Sequence, residues 1–200
     1  QFPAPPERQH KVTMILRLEE GMWERLDRKV RNQVRKAQKS GLTVERGGAE
    51  LLDDFYAVFA RNMRDLGTPV YSRRLFEEVL RVFPGQSSLH VVRLGGRPVA
   101  AAFSYRTRGC IEVPWASSIR DHNALCPNHL LYWHIIDTAA ASGCDTMDFG
   151  RSTPGEGTFR FKEQWGAQPV ALHWEYRLLG GAALPDVSPS NPKYRLVIEA

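Results

Sequence analysis

Three strand-like segments follow one another with only tight turns between them, and this restricts the chain to folds built on an antiparallel meander. Residues 88–94 are followed by Gly95-Gly96, residues 98–106 by Thr107-Arg108-Gly109, and residues 110–116 complete the set. The middle segment carries Val99-Ala100-Ala101-Ala102-Phe103, apolar on both faces, so it is expected inside the sheet with cover on both sides. Pro114 cannot donate a ladder hydrogen bond and predicts a bulge or an edge in the third strand. Strict alternation there puts Glu112 with Cys110 and Pro114, opposite Ile111, Val113 and Trp115.

Around the meander the apolar period changes to that of helices. Trp23, Leu26, Val30, Val34 and Ala37 predict a helix over 22–40 closed by Gly41. Leu52, Phe55, Phe59, Met63 and Leu66 predict a second helix over 49–66, and Ser72 caps a third that ends before Pro84-Gly85. Strands are expected at 11–18 and 42–46. After the meander, Asn128 is the expected cap of a helix to about 141. A strand at 146–149, a glycine-rich loop at 150–158, a helical piece at 159–165 and a strand at 170–179 follow. Helices, a meander and a helical crossover to a further strand describe an α/β (α+β) fold, a mixed central sheet with helices on both faces, the topology expected of a GNAT-like acyltransferase.

The net charge of +5 is unevenly placed. Between 25 and 39, Arg25, Arg28, Lys29, Arg31, Arg35, Lys36 and Lys39 oppose only Asp27, a sum of +6, so the other 185 residues sum to −1. Helical cations without acidic partners at i,i+4 favour contact with a phosphate backbone, then with an anionic membrane surface, over a merely solvated face. No apolar run reaches the ~18 residues of a membrane span. Cys110, Cys126 and Cys144 form no C-x-x-C pair, which points to a reducing, cytoplasmic setting, the inner face of the membrane included. Gln1 and Ala200 read as the ends of a fragment whose last twenty residues form a Pro-rich tail.

The densest chemistry lies between Asp148 and Lys162. Gly150, Gly155 and Gly157 with Ser152 and Thr153 could turn backbone N–H groups toward an anion beside Arg151, Arg160 and Lys162. Equally, the glycines could serve only a turn that needs positive φ. No Walker lysine follows Gly155. Lys162 between Phe161 and Trp165 reads as a cation with a buried stem or as a positioned charge. Glu112 is solvated or a general base in a cleft, and Asp148 sits at a strand's C-terminal end, where open sheets bind ligands. His122, Cys126 and His129 lack a fourth ligand, so no metal is expected. A CoA-binding loop should open a helix, yet the nearest match, Gln38-x-x-Gly41-x-Thr43, closes one. No cofactor is expected.

Several blocks resemble the Fem family. Arg31-x-x-Val34-Arg35-Lys36-Ala37-x-Lys39-x-Gly41-Leu42 is similar to its R-x-x-I-R/K-K-A-x-K-x-G-V helix. Trp115-Ala116-Ser117-Ser118 resembles its G-A-S-S strand end, and Pro127-Asn128-x-Leu130-Leu131-x-Trp133-x-x-Ile136 its P-N-x-L-L-x-W-x-x-I helix. Asp148-Phe149-Gly150 and Phe159-x-Phe161-Lys162-x-x-Trp165-Gly166 match Y-D-F-G and Y-x-F-K-x-x-F-G. The blocks run from about residue 31 to 176 and look closest to FemAB-like proteins that accompany exosortase and exopolysaccharide loci.

The resemblance implies the second of two GNAT-like domains. Residues 1–20 would be a remnant of the first, 21–41 a basic connecting helix and 42–180 the domain itself. It implies an aminoacyl-tRNA or other acyl donor and an amine acceptor on an envelope or polysaccharide precursor. It implies catalytic roles for Lys162 and Phe161, to which the mid-strand carboxylate of Glu112 is added as the candidate base. Substrate contacts would come from Arg64, Trp115, Ser117, Ser118, Asn128, Tyr132, Asp148, Gly150, Arg151, Ser152 and Arg160, and RNA phosphate contacts from Arg31, Arg35, Lys36 and Lys39. Thr68 stands four residues after Arg64 where the family usually carries tyrosine, and an expected site tyrosine aligns near Glu112. A CoA-dependent N-acetyltransferase, or a non-catalytic domain that binds a nucleotide-sugar or polysaccharide, are the alternatives.

Overall fold

The computed structural model describes residues 7–8 and 11–176. Seven strands form one mixed sheet: β2 (Val12–Arg17), β3 (Leu42–Gly47), β4 (Ser87–Leu94), β5 (Arg97–Thr107), β6 (Cys110–Ser118), β7 (Thr146–Ser152) and β8 (Gln168–Ala171), ordered β3-β4-β5-β6-β7-β2-β8. A pair of two-residue strands, β1 (Glu7–Arg8) and β9 (Trp174–Glu175), stands apart from it. The meander is β4-β5-β6, and β5 is interior as expected, with Val99 through Phe103 at 1% exposure or less. Gly95 and Gly96 turn it at φ 56° and 82°, angles that glycine adopts without strain.

Helices cover both faces. On one, α2 (Arg28–Lys39) and α5 (Pro127–Ala141) bury Val30, Val34, Ala37, Leu131, Ile135 and Ile136 over Met14, Ala100, Ala102, Met147 and Phe149. On the other, α3 (Leu52–Asp65) and α4 (Arg73–Val82) set Phe55, Phe59 and Phe76 against Phe103. The rings of Phe55 and Phe76 are 5.0 Å apart edge to face, a geometry that adds to the burial of about 2–3 kcal/mol per ring. Ser72 caps α4 as expected, its side chain accepting from the Arg74 N–H.

Two helix starts differ from expectation. The helix over 22–40 breaks into α1 (Met22–Arg25) and α2, because Leu26 is extended and Asp27 accepts the Lys29 N–H at 2.6 Å as a new N-cap. Helix α5 is entered through Cys126 at φ 60° with Pro127 in its first turn, so Asn128 is not the cap. The Asn128 amide instead donates to Ser118 Oγ at 3.0 Å.

The parallel pairing of β6 with β7 lasts three residues, Cys110 to Glu112 against Thr146 to Asp148, and then the strands part. The register of β6 against β5 shifts between Phe103–Trp115 and Tyr105–Glu112, which inserts one extra residue at Val113-Pro114, the bulge announced by Pro114. Strand β7 carries a matching extra residue at Phe149-Gly150 opposite β2, with Gly150 at φ 76°. Strand β2, expected to belong to a preceding domain, lies inside this sheet between β7 and β8. The last expected strand is divided between β8 and β9, and residues 177–179 with the Pro-rich tail lie outside the described residues.

Candidate active site

Helix α6 (Gly157–Glu163) carries Lys162 to the point where β6 and β7 part. Phe161 anchors the helix beside Tyr132 of α5, with ring centroids 5.3 Å apart, and Trp165 packs behind it. The adjacent Lys162 is thereby turned inward and is 8% exposed. Its Nζ donates to the carbonyls of Gly150 and Arg151, both at 2.9 Å, and these two bonds use two of the three N–H groups of an ammonium. Burial pulls its pKa from 10.5 down to about 8, against a smaller upward pull from Asp148. The glycine loop thus presents carbonyl oxygens to a cation where N–H groups and an anion were one expectation.

Glu112 and Asp148 are register partners on β6 and β7 and extend from the same face. Asp148 Oδ1 accepts from the Gly150 N–H at 2.7 Å and from the Thr13 hydroxyl, which fixes the carboxylate at the β7 bulge. Glu112 reaches the surface, and its pKa is raised, first by partial desolvation among its neighbours and then by the negative charge of Asp148. Asp148 thus couples on one side to Glu112, its register partner, and on the other to the buried Lys162, at the point where the strands part.

The bulge changes the expected face of Trp115. Its ring packs with Phe76 and Phe103, 5.1 and 5.6 Å away, on the α3–α4 side, the side of Glu112. The other expected residues separate into two groups. Gly150, Arg151 and Ser152 flank Lys162, the Arg151 guanidinium lying over the Trp174 ring at 5.6 Å, and Tyr132 stacks on Phe149 at 5.1 Å. Ser118 is held between Asn123 and Asn128, and Ser117 accepts from Asn62 of α3 at 3.1 Å, so both fasten elements together. Arg160 is exposed on α6. Arg64 is 71% exposed at the end of α3 beside Asp65, and shares a shallow depression with Arg61, Pro98 and Ile119.

On α2, Arg35, Lys36 and Lys39 are exposed, with Arg35 over the Trp23 ring at 5.4 Å, while Arg31 is half-buried. Thr13 was not legible as a site residue, and His129 was legible only as a candidate metal ligand. Thr13 reaches Asp148 from the far end of the chain, and His129 is drawn in by α6, its ring 5.2 Å from Phe161 and its pKa lowered by burial to about 4.

This fold recurs in solved structures. FemX superimposes with a TM-score of 0.74 and 17% identity over 94% of this chain, which spans 64% of FemX. The C-terminal domain of an Agrobacterium fabrum protein described as a lysylphosphatidylglycerol synthetase gives 0.65 and 12% over 85% of this chain and 61% of that one. An aminoglycoside acetyltransferase from an uncultured soil metagenomic sample, in complex with sisomicin, gives 0.57 and 12% over 70% of this chain and 99% of that one. Among curated proteins none matches in sequence. With a match over residues 25–163 that takes in the basic helix, both helical layers and the residues from Glu112 to Lys162, the chain belongs to the acetyltransferase (GNAT) domain family.

Proposed function

We propose that this domain transfers an acyl group to an amine, with Glu112 as base and Lys162 as the cation that meets the developing oxyanion. The observation that carries this is the buried Lys162 ammonium, tied to two carbonyls with one N–H to spare, beside a carboxylate pair at the parting of β6 and β7. The acceptor nitrogen attacks the acyl carbonyl, Lys162 stabilises the oxyanion, the bond from the acyl carbon to the leaving oxygen or sulfur breaks, and the nitrogen's proton passes to Glu112.

The donor in this reading is carried by a polyanion, an aminoacyl-tRNA, docked on Arg35, Lys36 and Lys39 of α2, with Arg31 beneath them. The acceptor is an amine of an envelope or polysaccharide precursor. A second donor, acetyl-CoA, is favoured by the family match alone. Incubation with radiolabelled aminoacyl-tRNA or acetyl-CoA and an amine panel separates the two. Lys162→Ala should lower turnover by about 10²–10³ with donor affinity nearly unchanged. Unaltered turnover in that variant removes the catalytic role, and saturable micromolar acetyl-CoA binding replaces the donor.

A further inference from the structure

The acceptor side of this site has a chemical character of its own. Glu112 faces Tyr105 across the ladder, and Tyr105 packs edge to face on Phe83 at 5.3 Å. Three residues beyond Glu112, the β6 bulge brings Trp115 to the same face, where Tyr71 of the α3–α4 connection meets it at 6.1 Å. Tyr71 is 53% exposed yet held in place, stacked on Phe59 and with its carbonyl accepting from the Tyr56 hydroxyl at 3.1 Å. The faces of aromatic rings carry the negative part of a quadrupole, so the rings and the Glu112–Asp148 pair favour the same sign of guest.

We infer that the acceptor is a dication, its reacting amine at Glu112 and Asp148 and a second ammonium against Tyr71 and Trp115. This rests on the acyl-transfer reading for the role of Glu112. Across the bulge Glu112 and Trp115 oppose Tyr105 and Phe103, two residues apart on β5, which sets the two positions roughly 7 Å apart along the strand, a span that suits a five-carbon diamine or an oligoamine. An anionic acceptor meets two carboxylates and ring faces there and is disfavoured. Without the bulge, alternation would place Trp115 on the opposite face and dissolve the second position. Val113-Pro114 is thus a specificity device as well as a kink.

Calorimetry tests this without any acyl donor, using 1,5-diaminopentane and n-pentylamine at one fixed ionic strength near pH 7.5, where both are charged. The wild-type protein should bind the diamine about tenfold more tightly, the equivalent of about 1.4 kcal/mol. Tyr71→Leu keeps apolar bulk at an exposed position and loses the quadrupole. It should cut that preference to below about threefold and leave the monoamine unchanged. Trp115→Leu, checked by thermal melting because Trp115 also packs in the core, should do the same. Equal affinity for the two amines in the wild type overturns the inference, as does an undiminished preference in Tyr71→Leu. A protein that prefers the diamine yet transfers no acyl group from any donor upholds the dication site and sinks the proposed activity. Transfer to either amine with no preference does the reverse.

Discussion

Lys162 combines two properties that oppose each other in water. It is charged below about pH 8, and it is buried. Two backbone carbonyls make this tolerable, since an unpaired buried ammonium would shed its proton or unfold the site. The same balance makes the residue sensitive to pH. If the ammonium form meets the oxyanion, turnover should fall as pH rises through about 8, measured with an acceptor amine that itself titrates well below pH 7. Lys162→Arg keeps its charge throughout that range, so whatever rate it retains should lack the descending limb. A limb that persists in the Arg variant assigns the titration to another group. On the acid side Glu112 must be ionised to accept a proton. Its raised pKa moves the ascending limb above the ordinary carboxylate range, and Glu112→Gln should lower the rate by about 10²–10⁴.

At the scale of elements, α2 is separable from the chemistry. Val30, Val34 and Ala37 hold it against the sheet, and its outer face is free to carry Arg35, Lys36 and Lys39. Replacing these three by Ala should flatten the salt dependence of RNA binding, lowering the slope of log K against log salt by about 0.7–0.9 per lost phosphate contact. Turnover at saturating donor should be retained. Equal slopes for wild type and variant, by filter binding across a salt series, would return α2 to an ordinary solvated face. The helix was legible in the sequence because its apolar stripe and its unbalanced charge are local patterns. So was the meander, whose turns are set by glycine. Pro114 announced a bulge but not its consequence, since moving Trp115 to the face of Glu112 depends on which strand gains the residue. Asp148's partner Thr13 was illegible for a related reason. The β7 bulge shifts the register against β2 by one, and alternation alone places no hydrogen bond across 135 residues of chain. The break before α2 is local, yet Asp27 falls within a continuous apolar period that masks it.

For the molecule as a whole, the layer between α5 and the sheet contains a polar inclusion that governs its response to acid. His90 on β4 has no exposure, and its Nε2 meets Ser104 Oγ at 2.9 Å. Its ring lies edge to face with that of His134 on α5, 5.6 Å away, and His90 Nδ1 and His134 Nε2 are buried without partners. Burial, then the neighbouring His134 and Arg46, lower the His90 pKa from 6.5 to about 3. His134 is lowered by burial and Arg46, with Asp137 pulling the other way. His90 must therefore stay neutral in the folded state, and the charged form of His134 is disfavoured beside it. Above pH 6.5 neither state binds the proton and stability is full. As pH falls from 6.5 toward 3 the unfolded chain takes up a proton that folded His90 refuses, so stability is lost at up to about 1.4 kcal/mol per pH unit. Between pH 7 and 5 the loss from His90 alone is about 2 kcal/mol, or roughly 4–8 °C in Tm for a chain of this size. His134 and His129 add in the same direction. His90→Gln removes the titration while keeping a polar group near Ser104, so its melting temperature should change less between pH 7 and 5 whatever its value at pH 7. A variant whose Tm falls as steeply as that of the wild type would move the acid sensitivity elsewhere. The expected flattening would place it in the contact between the helix that carries Tyr132 and the strand that begins the meander, so that mild acid loosens the layer on which α6 and Lys162 are seated.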